Sequence, residues 1–318
     1  MPQAAPGQPP LLALGIDAGG TETRWALASP REGLVADGQA QAISVLDLNG
    51  PGQVRVVEAL ASLARDVLAV GRPARVHAGL TGLGTASEAL ARLIAGPFGL
   101  PVAAVSQSSD IETTYLDLFA PGQGYLVYAG TGSVAAFIDA QGALHRAGGR
   151  GVLIDDGGGG YWIAREGLRH VWRAEDERPG SWQDSPLAQE LFKLVGGSDW
   201  ACTRKHVYGG NRGDIGRLAL AVVRAAERDP AARDILRAAG AELARLACAL
   251  IGRYGARPLA LSGRAATLHP LIAETMQAGL PPGTAFTLRP SHGEQAAARL
   301  ALGALTGTSR PLLQELQP

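Results

Sequence analysis

The chain has 318 residues but only two cysteines and two lysines, and its positive and negative formal charges cancel. Cys202 and Cys248 lie far apart and do not form the paired spacings of a zinc motif, and two distant cysteines do not make a disulfide framework. A net charge of zero gives no electrostatic footprint for nucleic acid or for an acidic membrane surface. We therefore expect neither as a partner.

Long hydrophobic runs are also missing. No stretch offers the roughly 18 uncharged apolar residues that a membrane-spanning helix needs. Residues 1–10 lack the basic region and apolar core of a signal peptide, so we expect a short disordered tail there. With so little cysteine, the composition suits a reducing cytoplasm.

The composition that remains is that of an ordinary globular protein, and the length suggests two domains or one large one. Strands and helices alternate along the chain, which predicts an α/β fold. Strands are expected at 11–17, 23–29, 75–84, 100–106 and 257–270, and helices at 53–70, 85–96, 108–120, 161–176, 185–196, 212–226 and 230–254. The helix at 85–96 would begin with a capping box of Thr85 and Glu88.

One pattern occurs twice. The segment LALGIDAGGTETRWALA (12–28) is a strand, a glycine turn and a second strand, and GYLVYAGTGSVAAFIDAQG (124–142) repeats this order. The repetition predicts two related halves.

Neither turn is a familiar nucleotide motif. A P-loop needs a lysine after its last glycine, and neither Lys193 nor Lys205 follows a glycine. A dinucleotide-binding fingerprint opens a helix, whereas the residues after Gly20 alternate as in a strand.

Glycine hairpins can nevertheless bind phosphate, because successive backbone N–H groups form an anion-binding concavity. Hydroxyl groups would add donors, and an aspartate beside bound phosphate is explained by a Mg²⁺ ion between them, held through water. Tight structural hairpins with an incidental aspartate are the alternative. The candidates are Asp17 for the metal and Gly19, Gly20, Thr21, Gly130, Thr131, Gly132 and Ser133 for phosphate.

These residues resemble a known superfamily. LGIDAGGTETRWAL, YAGTGSVAAF and LALSGRAATLHPLI resemble the first phosphate, second phosphate and adenosine motifs of the actin-like sugar kinases and ATPases. AGLTGLGT, SSDIETTYLDLF and GGRGVLIDDGGGGYWIAREGL resemble further motifs of the N-acetylglucosamine kinases, which share a family with the BadF-type ATPases. The resemblance covers residues 11 to 307.

The resemblance implies two ribonuclease-H-like domains with a central cleft that binds ATP, Mg²⁺ and a sugar. The N-terminal domain would span 11–118 and the C-terminal domain 119–292, and a helix at 293–307 would pack back on the first domain. Relatives are often homodimers. The adenosine motif would place Ser262 and Gly263 against the nucleotide.

The resemblance also implies site roles. Asp110 would be the catalytic base, although an acid in the first turn of a helix is also favoured by the helix dipole. Asp156 would hydrogen-bond a sugar hydroxyl, or simply form a turn. Asn49 would bind sugar, or belong to an ordinary Asn-Gly turn. Thr81, Gly82, Gly148 and Gly149 would line the sugar pocket.

Four positions depart from the family pattern. Gly157 and Gly159 replace a glutamate and a serine of the signature, and Arg150 stands where a tryptophan is common. Val134 follows Gly-Thr-Gly-Ser, where the animal N-acetylglucosamine kinase has a polar residue. The resemblance as a whole implies ATP-dependent phosphorylation of an amino sugar, with N-acetylglucosamine at its 6-hydroxyl as first choice. A BadF-type ATPase that drives a partner and a catalytically weak sugar-binding relative are the alternatives.

Overall fold

The computed structural model describes residues 11–19, 22–48, 52–290 and 292–307. Contacts divide the chain into two units, Met1–Ala120 with His292–Pro318, and Pro121–Ser291. Each unit contains one mixed five-stranded sheet with helices, so the predicted α/β fold is confirmed.

In the first unit the sheet order is β3-β2-β1-β4-β5. The first three strands are antiparallel neighbours, whereas β1, β4 and β5 run parallel. The elements are β1 Leu12–Ala18, β2 Thr23–Ser29, β3 Gly33–Ala40, α1 Gln53–Val70, β4 Pro73–Leu80, α2 Glu88–Ala95, β5 Val105–Ser109 and α3 Asp110–Leu118.

The second unit repeats this topology. Its sheet order is β8-β7-β6-β9-β10, again with three antiparallel strands followed by two parallel ones. The repeat is the structural counterpart of the two hairpin segments in the sequence. The elements are β6 Tyr125–Ala129, β7 Ser133–Ile138, β8 Leu144–Gly148, α4 Gly160–Glu177, α5 Pro186–Val195, α6 Trp200–Gly209, α7 Arg212–Gly216, α8 Ala219–Ala225, α9 Pro230–Tyr254, β9 Leu259–Ser262, α10 Pro270–Ala278 and β10 Phe286–Leu288.

The last described helix, α11 (Gly293–Thr306), belongs to the first unit and packs on β1, β2, β4 and α3. Side chains of β1 alternate between the two faces of the sheet. Its even-numbered residues join the core under α1 and α2, while Ala13 packs with the alanines of α11. The helix comes so close at Gly15 that a Cβ atom there would lie 2.1 Å from the Ala298 nitrogen. A glycine at position 15 is therefore required for this packing.

Several local predictions were wrong in detail. Helix α2 is capped by Ser87, whose hydroxyl accepts the Leu90 N–H, and not by Thr85. Residues 102–104 form a 3₁₀ turn, so strand β5 starts at Val105 and not at residue 100. The expected helix at 212–226 is two short helices, α7 and α8, and β3, β8 and α6 were not anticipated.

Candidate active site

Asp17 lies near the carboxyl end of β1, on the face that α11 covers. A Cβ atom added to Gly293 would lie 2.7 Å from Asp17 Oδ2, so the carboxylate meets the backbone at the start of α11. The turn that follows is closed by the Gly19 N–H, which donates to the Glu22 carbonyl at 2.9 Å. Gly20 and Thr21, two of the predicted phosphate ligands, lie outside the described residues, as does Asn49.

Asp110 is the first residue of α3 and follows β5 directly. The helix starts there because Ser109 and Glu112 form a capping box, in which the Ser109 hydroxyl accepts the Glu112 N–H at 3.2 Å. One Asp110 oxygen accepts the Thr81 hydroxyl at 2.5 Å, and the other accepts the N–H of Ile111 at 2.9 Å. The carboxylate is therefore held in one orientation and is half-buried.

Thr81 and Gly82 follow β4, the strand between β1 and β5. The Thr81 N–H extends the ladder to the Ala18 carbonyl at 2.9 Å, and Gly82 turns the chain with a φ of +81°. Because β1, β4 and β5 are parallel, their carboxyl ends share one edge of the sheet. The strand pairing therefore places Asp17, Thr81 and Asp110 at this edge, and their roles stay predictions.

The charges at this edge are mostly negative. The pKa of Asp17 is raised to about 7, mainly by burial and in addition by the nearby carboxylates Asp110 and Glu294. Arg24, opposite Asp17 on β2, acts in the other direction but also pairs with Glu22 at 3.6 Å. An ionised Asp17 is thus under-compensated by its protein surroundings.

In the second unit, the β6–β7 turn packs against the start of α4. The Gly130 N–H donates to the Gly132 carbonyl at 2.9 Å, while Gly160 and Tyr161 donate to the carbonyls of Gly130 and Thr131 at 2.8 and 2.9 Å. The N-terminus of α4 therefore holds the turn in place.

Asp156 contacts this same turn. A Cβ atom on Gly132 would lie 2.1 Å from Asp156 Oδ2, and the Gly151 N–H donates to Oδ1 at 3.0 Å. Among the described residues, Asp156 is the single non-glycine residue with positive φ, at 54°. Such a conformation costs of order 1–3 kcal/mol and is held only where surrounding contacts determine it. Burial raises the pKa of this carboxyl.

The structure explains why glycine stands at some of the positions around Asp156. A Cβ atom on Gly159 would lie 2.7 Å from the Gly132 backbone, which excludes the serine of the family signature in this packing. Ser133 donates its hydroxyl to the Gly157 carbonyl at 2.7 Å. Gly148 and Gly149 have φ values of +73° and +65°. Their contact with a sugar stays a prediction.

Ser262 and Gly263 end β9, the parallel neighbour of β6. Gly263 has a φ of +97°, and a Cβ atom there would lie 2.4 Å from the Ala129 carbonyl oxygen. The Ser262 hydroxyl is buried without a hydrogen-bond partner. Ser262 and Gly263 therefore lie next to the end of β6, where the Gly130–Ser133 turn begins, within one unit. Their contact with adenosine stays a prediction.

A family model, the BadF/BadG/BcrA/BcrD ATPase family, matches residues 14–278. The chain belongs to this family. Among solved structures, it is similar to a candidate N-acetylglucosamine kinase from Chromobacterium violaceum, with 26% identity, a TM-score of 0.71, and coverage of 92% of this chain and 99% of that one. No curated protein matched.

More distant structures share the fold of this BadF-family chain. One is a candidate N-acetylglucosamine kinase from Porphyromonas gingivalis, with 15% identity, a TM-score of 0.66, and coverage of 90% of this chain and 96% of that one. Another is a ROK family glucokinase from Streptomyces griseus in complex with glucose and AMPPNP, at 15% identity and a TM-score of 0.61, covering 91% and 98%. The predicted family and the actin-like sugar kinase fold are confirmed.

The sequence interpretation of this BadF-family chain missed Glu294. It lies in the first turn of α11, is 5% exposed, and its Oε2 atom has no hydrogen-bond partner. Acidic side chains are rarely buried, so a buried glutamate draws attention once the structure is known. The sequence alone does not indicate that Glu294 is buried near Asp17, because that depends on a contact between distant parts of the chain.

Two features are absent from the residues that the structure describes. No helix there is long and apolar enough to cross a membrane. Nor does this part of the chain place three or more His, Cys, Asp or Glu side chains where they alone would hold a metal ion.

Proposed function

We propose that the chain is an ATP-dependent sugar kinase whose acceptor is an amino sugar, N-acetylglucosamine at its 6-hydroxyl, with Asp110 as general base. The observation that carries this proposal is the placement of Asp110. Its carboxylate stands at the strand edge beside Asp17, and the Thr81 hydroxyl fixes its orientation at 2.5 Å. A base held in this way can orient and deprotonate a hydroxyl.

In the proposed step, the sugar oxygen attacks the γ-phosphorus of ATP while its proton moves to Asp110. The bond between the γ-phosphorus and the bridging oxygen breaks, and ADP leaves with that oxygen. Such transfers depend mainly on positioning and charge stabilisation. Thr81 contributes as a positioning residue.

The nucleotide roles follow the motifs. Backbone N–H groups around Gly19 and in the Gly130–Ser133 turn would bind phosphate, and the Ser262–Gly263 segment would adjoin the adenosine. Asp17 would hold Mg²⁺, which supplies charge neutralisation at the phosphates. The ATP analogue bound in the glucokinase from Streptomyces griseus supports ATP as donor.

The acceptor is inferred from the similarity to the candidate N-acetylglucosamine kinase from Chromobacterium violaceum, which extends over nearly the whole of both chains. A partner-driving ATPase with a cysteine-bound iron–sulfur cluster fits less well. Both cysteines lie within helices, Cys202 in α6 and Cys248 in α9, and the Cys248 thiol donates to the Gly279 carbonyl at 3.6 Å.

The test is ADP release from ATP and Mg²⁺ across a panel of N-acetylglucosamine, glucosamine, N-acetylmannosamine, glucose and muramic-type sugars. We expect turnover on N-acetylglucosamine and a loss of at least about 10²-fold in kcat for Asp110→Asn, the lower range for a general base. Asp66→Asn, an exposed change in α1, is the matched control and should leave turnover unchanged.

Two results would contradict the proposal. Hydrolysis that no sugar stimulates would point to a partner-driving ATPase. ATP binding without turnover on any sugar would point to a weak sugar-binding relative, in which Gly157 and Gly159 have replaced residues that the chemistry requires.

A further inference from the structure

Glu294 has a buried carboxylate that its surroundings do not satisfy. Its Oε2 atom has no hydrogen-bond partner, and its Oε1 atom lies 3.4 Å from Nδ1 of His292. The side chain is only 6% exposed. A buried carboxylate oxygen without a partner is costly, and a bound cation would offset that cost.

The position of Glu294 brings it to Asp17. Helix α11 approaches β1 closely at Gly15, and the preceding residue, Gly293, contacts the Asp17 carboxylate. On the same face of β1, a Cβ atom on Gly15 would lie 2.1 Å from the Glu294 carbonyl oxygen, so α11 meets this strand at both Gly293 and Glu294. Repulsion between the Asp17 and Glu294 carboxylates agrees with this placement. A cation bound by both carboxylates would relieve that repulsion.

The start of α11 is held firmly in this position. The Asp117 carboxylate accepts the His292 N–H at 3.1 Å and pairs with the guanidinium of Arg299. Asp117 lies in α3, the helix that begins with Asp110. The base and Glu294 are therefore positioned through the same pair of helices.

We propose that Asp17 and Glu294 together form a divalent-cation site, with Glu294 as a second carboxylate beside Asp17. The inference rests on the proposed function, in which Asp17 serves the Mg²⁺ of the nucleotide. One or two carboxylates, completed by water and phosphate oxygens, are the usual protein share of a Mg²⁺ site. Oxygen ligands of this kind also suit Mn²⁺.

The test titrates the metal-free full-length chain with Mn²⁺ and follows the electron paramagnetic resonance signal of free Mn²⁺, without nucleotide and with AMPPNP. Glu294→Gln and Asp17→Asn should each weaken binding by about tenfold or more, because even groups outside the ligand shell affect metal affinity by about 10–100-fold. Glu88→Gln is the matched control. It is a glutamate in the first turn of another helix, its side chain is 72% exposed, and it should titrate like the wild type.

A second readout uses the wild-type chain and does not depend on how any variant folds. Bound Mn²⁺ should broaden the amide signals of Asp17 and of residues 293–295 in nuclear magnetic resonance spectra, because paramagnetic broadening is confined to groups near the ion. Melting curves in EDTA report whether each variant is folded before titration.

The inference is wrong if Glu294→Gln binds Mn²⁺ with wild-type affinity, or if the amides of residues 293–295 stay sharp while Mn²⁺ binds. If the wild type also phosphorylates a sugar in either case, the kinase proposal stands alone. If Glu294→Gln loses Mn²⁺ and the wild type phosphorylates no sugar, the cation site stands and the kinase proposal fails.

Discussion

Asp17→Asn should make the metal-free protein more stable at pH 8 and leave it unchanged near pH 4. In the folded chain the pKa of Asp17 rises from 3.8 to about 7, chiefly through burial and then through Asp110 and Glu294. A raised pKa means that the folded state binds the proton of Asp17 more tightly than the unfolded state does, so protonated Asp17 stabilises the fold. This contribution to the free energy of unfolding is complete below pH 3.8 and is lost as the pH rises through 7.

The size of the effect follows from the shift. Each pKa unit corresponds to about 1.36 kcal/mol, so ionising Asp17 in the folded state costs up to about 4 kcal/mol at pH 8. Part of the side chain still meets solvent, and neighbouring carboxylates titrate with it, so this figure is an upper bound. Asparagine resembles the protonated form and removes the cost at high pH.

The assay is urea denaturation followed by circular dichroism, in EDTA, at pH 4 and at pH 8. The difference in unfolding free energy between Asp17→Asn and the wild type should appear only at pH 8. Asp66→Asn, on the exposed face of α1, should show no such difference. If the unfolding free energies of the two proteins differed equally at both pH values, or if Asp17→Asn were less stable than the wild type at pH 8, the conclusion that ionised Asp17 destabilises the metal-free fold would be refuted.

Two further predictions concern the first unit. Gly15→Ala places a Cβ atom 2.1 Å from the backbone of α11 and should destabilise the protein by about 1–3 kcal/mol or more in urea denaturation, whereas Gly84→Ala, with open space around it, should have little effect. His77, whose ring nitrogens bond the hydroxyls of Ser106 and Ser108 at 2.9 and 3.0 Å, has its pKa lowered by burial to about 4. The neutral His77 ring therefore contributes about 3 kcal/mol to the free energy of unfolding above pH 6.5, and this contribution is lost as the pH falls towards 4. His77→Gln should remove this part of the decrease in stability at low pH, as urea denaturation at pH 4 and pH 7 would show.

Local patterns in the sequence predicted the elements whose signals are also local. The first hairpin and helix α1 lie at the expected residues or within one of them, because alternation and helical periodicity are sustained there. The start of α2 was misplaced because several adjacent residues are able to cap a helix, and in the structure Ser87 is the one whose hydroxyl accepts the Leu90 N–H. Strand β5 starts late because residues 102–104 form a 3₁₀ turn after Pro101.

The site was predictable only in part, for a similar reason. Asp17 lies near the end of β1, Thr81 and Asp110 directly follow β4 and β5, and parallel strands bring such residues to one edge. Asp156 was assigned to the sugar by resemblance, and the structure places its carboxylate against Gly132 in the second glycine turn. No local pattern in the sequence indicates that Glu294 lies near Asp17, because its position depends on the packing of α11 against Gly15, which is distant in the chain.

The free-energy cost of ionising Asp17 and the proposed cation site have the same cause, which is the group of acidic side chains around Asp17. Burial beside Asp110 and Glu294 makes the ionised carboxylate unfavourable as long as no cation is present. When a divalent ion is bound, the ionised form of Asp17 becomes the favourable one, because the positive charge stabilises an ionised ligand. Binding of the ion to the folded state also adds to the stability of the protein. Mg²⁺ should therefore raise the melting temperature of the wild type more at pH 8 than at pH 6, and this difference should vanish in Asp17→Asn. If Mg²⁺ stabilised both proteins equally at both pH values, the repulsion at this edge would have no part in metal binding.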